Sequence, residues 1–428
     1  MTTGLRASRA VRVLVRRFGV HRAAMLLRLA QLPALRALQV ALRRLPRDPR
    51  IVAMGSPLDR FADNAAYLFL HMSEHPTDLQ PVWISRSREV VRRLRLCGYR
   101  AERRWSWRGA LTTLRAGSFV YSAYRSDINQ WLSPGAATLC LWHGLPIKRV
   151  EAGVGSQTGR RETWLRRLAN AGREAPPDYL LSSSEFVTSC FSPAFGVPVE
   201  RCWEFGYPRA DHLLSDPSNP PVAMVWHEDV WKQLSSASRV VGLFLTWRDD
   251  RVDDAVDEYL VQALAETCTR NGAVLTYKAH YNVAPTAAPG NCVLLPDDVD
   301  LHAYLGLCDV LITDYSSVAL DFLLMRRPVV YFMPDVEHYA ATRGFAVDPL
   351  NLPGIVTVDP EALLEAVEAV LQPSGNWTPT QSDDRFMHTM WGSYSGRASQ
   401  LILDALESTA RAQNESAVSD GPLARPAS

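Results

Sequence analysis

From Ile51 onward the sequence repeats one pattern, a short apolar run followed by a helical period, and this alternation restricts the chain to a layered α/β fold. "IVAMG" leads into the helical stretch "DNAAYLFLHMSEH", and "PVWIS", "SFVYSAY", "TLCLWHG", "DYLLSSSEF" and "ERCWEFG" follow. Runs this short and apolar read as strands covered on both faces, with the helical segments as crossovers of a mostly parallel sheet. The loose stretch "SDPSNPP" interrupts the pattern at Ser215 to Pro221, and it restarts with "VVGLFLTWR", "AVLTYKAH", "NCVLLPD", "DVLITDY" and "PVVYFM". Two tandem Rossmann-like domains are expected, over residues 51–220 and 221–408, with their sheets facing across a cleft. A chain of 428 residues that is 47% apolar can fill two such cores.

The two ends differ from this pattern. Residues 1–50 are crowded with arginine and contain Asp48 as their only acid. Within them "RAAMLLRLAQLPALRALQVALRRL" spaces leucine and arginine as an amphipathic helix would, which suits an anionic membrane interface or a helix packed on the protein's own surface. Arginines break every apolar stretch there, so neither a signal peptide nor a membrane-spanning helix is expected. Residues 409–428 lack an apolar period and read as a disordered tail. The 46 basic and 45 acidic residues nearly balance, and with the arm removed the remainder is acidic, so no nucleic-acid partner is expected. The seven scattered cysteines contain no C-x-x-C pair, which points to a reducing compartment without a zinc or disulfide framework.

Open parallel sheets bind ligands beyond the carboxyl ends of their strands, so the polar residues at those ends carry the chemistry. In "LITDYSSVALDFLL" a strand gives way to a helix at Ser316 and Ser317, whose N–H groups and hydroxyls form a candidate phosphate site. Asp321 lies one turn on, where a carboxylate could meet a ribose diol; the alternative is a plain helix cap. Lysine occurs only as Lys148, Lys232 and Lys278. Lys278 and His280 in "LTYKAH", with Arg248 in "LFLTWRDD", could neutralise a diphosphate without a metal. In "LCLWHGLPIKRV", His143 suits a general base acting on a hydroxyl near neutral pH. Gly144 permits close approach to the backbone, and Lys148 adds positive charge. Arg209 and Asp211 in "GYPRAD" are candidate acceptor-side residues. "HMSEH" matches a zinc-peptidase pattern, but Pro76 follows at once and no further ligand is evident.

Taken in order, "WHGLPIK", "SSSEF", "GYPRAD", "TWRDD", "KAH", "DYSSVALDF" and "RGFAVD" resemble the CDP-glycerol glycerophosphotransferase family, the primases and polymerases of teichoic acids and related capsular polymers. The resemblance runs from about Ile51 to Leu406. It implies a GT-B-like pair of domains, with a CDP-activated donor held by Arg248, Lys278, His280, Ser316, Ser317 and Asp321, and with His143 as the base. An acceptor hydroxyl would attack the phosphorus nearest the alditol and CMP would leave, with His280 steadying the pyrophosphate. The CDP-alditol is a substrate; no tightly bound cofactor and no metal ligand set is implied. The acceptor would be lipid-linked or polymeric, and the enzyme peripheral on the cytoplasmic face of a bacterial membrane. Tyr281 stands where the family usually has proline, so the loop at His280 is not fixed in the family's way. The same architecture also serves nucleotide-sugar glycosyltransferases, and an inactive membrane-bound assembly factor is a reading of another class.

Overall fold

The computed structural model describes residues 40–150, 175–246, 258–278, 292–342, 344–373, 375 and 377–419. Most of the basic amphipathic segment, Arg248, His280 and residues 420–428 therefore lie outside the described residues. The first sheet contains β1 (Asp48–Gly55), β2 (Gln80–Ser85), β3 (Ala101–Arg103), β4 (Ala116–Tyr121), β5 (Ala137–Cys140), β6 (Tyr179–Ser182) and β7 (Cys202–Glu204). Between them lie α1 (Asp63–Glu74), α2 (Arg88–Leu96), α3 (Trp107–Arg115) and α4 (Glu185–Phe195), and α5 (Pro208–Ser215) follows β7. The strand order is β3-β2-β1-β4-β5-β6-β7, parallel throughout.

After α6 (Glu228–Ser235) the second sheet is built from β8 (Val240–Phe244), β9 (Val274–Tyr277), β10 (Cys292–Leu294), β11 (Val310–Thr313), β12 (Val329–Phe332) and β13 (Ile355–Thr357). Its order, β10-β9-β8-β11-β12-β13, repeats the first, and it too is parallel. Its helices are α7 (Glu258–Arg270), α8 (Leu301–Leu305), α9 (Val318–Leu323), α10 (Val336–Thr342) and α11 (Pro360–Leu371). The central strands β4, β8, β11 and β12 are buried at every residue, as helices on both faces require. The sheets reverse direction between β1 and β4 and between β8 and β11. These switch points are where doubly wound folds open a crevice for ligands.

Two boundaries differ from the sequence reading. The first domain already begins within the basic segment: Arg47 donates to the carbonyls of Thr113, Ala116, Leu132 and Pro134 at 2.6–3.3 Å and anchors the entry into β1. At the other end, α12 (Gln381–Trp391) is followed by α13 (Ala398–Ser419), which is helical past Thr409. Ile402, Leu403, Leu406 and Ala410 are buried, and α13 packs on α1, β1 and α5. The apolar stripe of α13 thus returns the chain to the first domain, and its last turns extend it where no sequence period marks them.

Candidate active site

β5 ends at Cys140, and Leu141 prolongs it by donating to the Tyr121 carbonyl at 2.8 Å. Trp142 then turns into the left-handed region at φ 55°, a strained conformation for a bulky residue. What holds it is Asn64 at the start of α1, fully buried, whose Nδ2 donates to the Trp142 carbonyl at 2.9 Å. The Arg209 N–H donates to Asn64 Oδ1 at 3.3 Å, so one amide side chain ties α5 to the turn before His143. The His143 ring lies 4.0 Å, centroid to centroid, from that of Trp142. It is exposed at the loop surface, yet protein crowds its flanks and desolvation pushes its pKa below the usual value. Asp63 opposes that shift, while Arg209 and Lys148 add to it. A histidine kept neutral at pH 7 is in the state a base requires.

Gly144 brings this loop to the second domain. A Cβ at Gly144 would sit 2.5 Å from Ser317 Oγ, so only glycine fits while that hydroxyl keeps its place. Ser317 occupies the N-cap position of α9 without making a side-chain cap bond. Ser316 and Ser317 are both half-buried. With six residues α9 is short, so hydroxyls and backbone N–H groups, more than a helix dipole, are what this corner offers an anion. Beside it, at the β8/β11 switch point, Thr246 donates to Asp314 Oδ1 at 2.6 Å and Lys148 Nζ reaches Thr246 Oγ1 at 3.3 Å. Ala346 N donates to the Ile147 carbonyl at 2.9 Å, stitching the lysine strand to the second domain. Lys278 follows β9, donates to the Val299 carbonyl at 3.2 Å, and has its pKa lowered chiefly by burial.

Asp321 stands in a different place from the open position a ribose contact would need. It is 1% exposed, and its Oδ2 accepts from Arg209 Nε at 3.1 Å and pairs with His302 Nε2 at 2.9 Å. Oδ1 is buried with no hydrogen-bond partner among the described residues. Arg209, also 1% exposed, donates from its other arm to Asp63 Oδ1 at 2.7 Å. The two residues assigned to opposite substrates therefore form one buried ion pair across the domains, because a guanidinium buried there requires carboxylates on both sides. Burial and Arg209 oppose protonation of His302, but its bonds to Asp300 and Asp321 prevail and raise its pKa to about 9. Asp63, Asn64, Asp300 and His302 are absent from the sequence reading. Their one signal is an acid at the start of each helix, which is indistinguishable from ordinary capping.

The His302 shift has a consequence for stability. A raised folded-state pKa gives stabilisation that is complete below the unfolded value of 6.5 and is lost as pH rises through about 9. Over that window the cluster should lose on the order of 2–3 kcal/mol. Chemical denaturation of the wild type and His302→Gln at pH 6.5 and 9.5 checks this; the variant should lack that part of the pH dependence.

Asp211 is likewise committed. Its Oδ1 accepts from Tyr394 Oη at 2.5 Å and from Ala398 N at 2.9 Å, and Oδ2 accepts from Ser399 N at 2.7 Å, which caps the start of α13. His71 of the zinc-like pattern bonds Gln400 Oε1 at 3.1 Å and stacks on His75.

The model of the CDP-Glycerol:Poly(glycerophosphate) glycerophosphotransferase family matches residues 38–408, which includes both sheets and every site residue named above. The chain belongs to this family. This glycerophosphotransferase is 24% identical over 388 residues to the teichoic acid glycerol-phosphate transferase of Staphylococcus aureus, covering 85% of this chain and 94% of that one. It is 27% identical over 307 residues to the teichoic acid poly(glycerol phosphate) polymerase of Bacillus subtilis, covering 67% of this chain and 39% of the polymerase. The solved wall teichoic acid polymerase TagF has the same fold, with TM-score 0.70 at 23% identity over 92% of this chain and 99% of that one. In this glycerophosphotransferase several of the motif residues serve the architecture. Ser183 and Ser184 donate to the Met390 and Thr389 carbonyls, each at 2.6 Å, and a Cβ at Gly206 (φ 80°) would meet the Tyr394 ring at 2.2 Å. They fasten α12 and the segment after it to the first domain.

Proposed function

We propose that the enzyme transfers glycerol phosphate from CDP-glycerol to a hydroxyl of a membrane-linked acceptor, releasing CMP. The observation that carries this reading is the approach of Gly144 to Ser317, which sets the His143 loop against the corner of hydroxyls and N–H groups in the second domain. With the donor diphosphate along Ser316 and Ser317 in a cleft between the domains, its glycerol phosphate points toward His143. His143 takes the proton of the acceptor hydroxyl as its oxygen bonds to the phosphorus nearest glycerol. The bond from that phosphorus to the bridging oxygen breaks, and CMP leaves with the electron pair. Lys148 and Lys278 offset the charge, and in the family's pattern Arg248 and His280 share that work. Asp321 acts through Arg209 and His302, fixing the two domains against each other. The basic segment holds the enzyme at the cytoplasmic face of the membrane, a reading supported by its arginine and leucine spacing.

A panel of CDP-glycerol, CDP-ribitol, UDP-glucose and GDP-mannose, scored for nucleotide release, tests the donor; CMP from CDP-glycerol is the expected product. UDP or GDP release in its place overturns the reading in favour of a glycosyltransferase. Gly144→Ala tests the corner, because its methyl group would turn the Ser317 hydroxyl away. Donor affinity should fall about tenfold, the worth of one hydrogen bond to a charged oxygen. Adding Gly144→Ala to Ser317→Ala should cost nothing further, since the hydroxyl is already gone; calorimetric titration of the three variants checks it.

A further inference from the structure

Tryptophan is normally among the best-covered side chains of a protein, yet Trp105 and Trp107 are 63% and 72% exposed. Leu111, one helical turn past Trp107 on the same face of α3, is 47% exposed. The turn that displays them is rigid. Ser106 Oγ donates to the Arg103 carbonyl at 2.8 Å and accepts from Gly109 N at 3.0 Å. A Cβ at Gly109 would lie 2.0 Å from the Arg103 carbonyl oxygen, so α3 sits directly on the end of β3. Beneath the turn, buried Arg104 pairs with Asp59 at 3.0 Å.

The surroundings are basic. Arg88, Arg103 and Arg108 are exposed, and Arg108 lies 5.2 Å from the Trp107 ring centroid. The nearby acids Glu89 and Glu102 are paired with Arg92 at 3.3 Å and Arg95 at 2.8 Å. Indole rings settle at the headgroup level of a bilayer, and arginines beside them neutralise anionic headgroups. A second copy of this chain would bring the same arginines against each other. All strands of the first sheet are parallel, so the turn after β3 and the loop after β5 that carries His143 leave the same edge of the sheet. Four strand spacings separate them, about 19 Å.

We propose that the Trp105–Trp107 turn is a docking surface for an anionic bilayer, which seats the enzyme with the edge bearing His143 turned toward the lipid. Its use to the enzyme rests on the reading of a membrane-held acceptor; its chemistry does not. The full-length protein is sedimented with vesicles of phosphatidylglycerol and phosphatidylcholine, or of phosphatidylcholine alone, with no substrate present. Trp105→Ser/Trp107→Ser should weaken partition onto the anionic vesicles about tenfold or more, from the apolar surface removed. Arg103→Ser/Arg108→Ser should weaken it and flatten its salt dependence. Both variants should keep the wild-type melting temperature and CMP release with a soluble acceptor. Unchanged partition of the tryptophan variant overturns the proposal. So does a tryptophan variant that keeps its partition but loses self-association in sedimentation velocity, which would assign the surface to a second copy. Loss of partition in a protein that releases no CMP from any donor supports the docking surface and counts against the proposed reaction alone.

Discussion

His143→Ala should lower single-turnover rates by about 10²–10⁴-fold, the usual contribution of a positioned general base, with CDP-glycerol affinity little changed. The split between rate and affinity is the informative part. His143 lies on the first-domain loop, whereas the groups proposed to grip the diphosphate lie across from it on the second. Because desolvation holds its pKa below 6.5, the acid limb of the kcat/KM profile should fall below that pH. A rate that declines only above neutrality, or a variant near wild-type speed, would return His143 to a structural role.

The largest stability effect is expected at Arg209. Its guanidinium is buried between Asp63 and Asp321, and removing it strips Asp63 of its cation and leaves Asp321 with His302 alone. Arg209→Ala should cost about 3–5 kcal/mol, the usual penalty for breaking a buried pair. Asp321→Asn should cost less, since Arg209 keeps Asp63 and the amide oxygen can still accept. Denaturant titration of both variants measures the difference. Equal and small losses would mean that the cluster does not hold the domains together. The bond from position 209 to Asn64 comes from the backbone N–H and survives the substitution, so the turn before His143 should keep its hold in the folded variant.

The strand ends were legible because parallel strands announce themselves as apolar runs, and each run's first polar residue marks the carboxyl edge. His143, Lys278 and the Ser316–Ser317 pair were placed just beyond strand ends that way, and the strands do end at Cys140, Tyr277 and Thr313. Partners brought together by tertiary packing were not legible. Asp63 and Asp300 look like helix-start acids, and His302 sits in an unremarkable helical period, yet Asp63 pairs with Arg209 from a distant segment, and Asp300 and His302 join the same cluster through Asp321. Asp211 and Asp321 were read as facing ligands because a polar residue near a strand end gives no sign of what covers it. Asp211 is covered by α13, whose return to the first domain no local pattern encodes. The same limit applies to Trp105 and Trp107: their spacing is visible in sequence, but their exposure depends on the close seat of Gly109 against β3.

In the proposed reaction a P–O bond breaks, and the phosphorus nearest glycerol travels to the acceptor. CDP-glycerol carrying radioactive phosphorus at that position tests it directly when incubated with the enzyme and a glycerol-phosphate-primed acceptor. The label should appear in the acceptor, in a phosphodiester, with unlabelled CMP released in equal amount. Label retained in a released cytidine diphosphate would mean that a C–O bond breaks instead, as in a glycosyltransferase, and would contradict the proposed phosphoryl transfer.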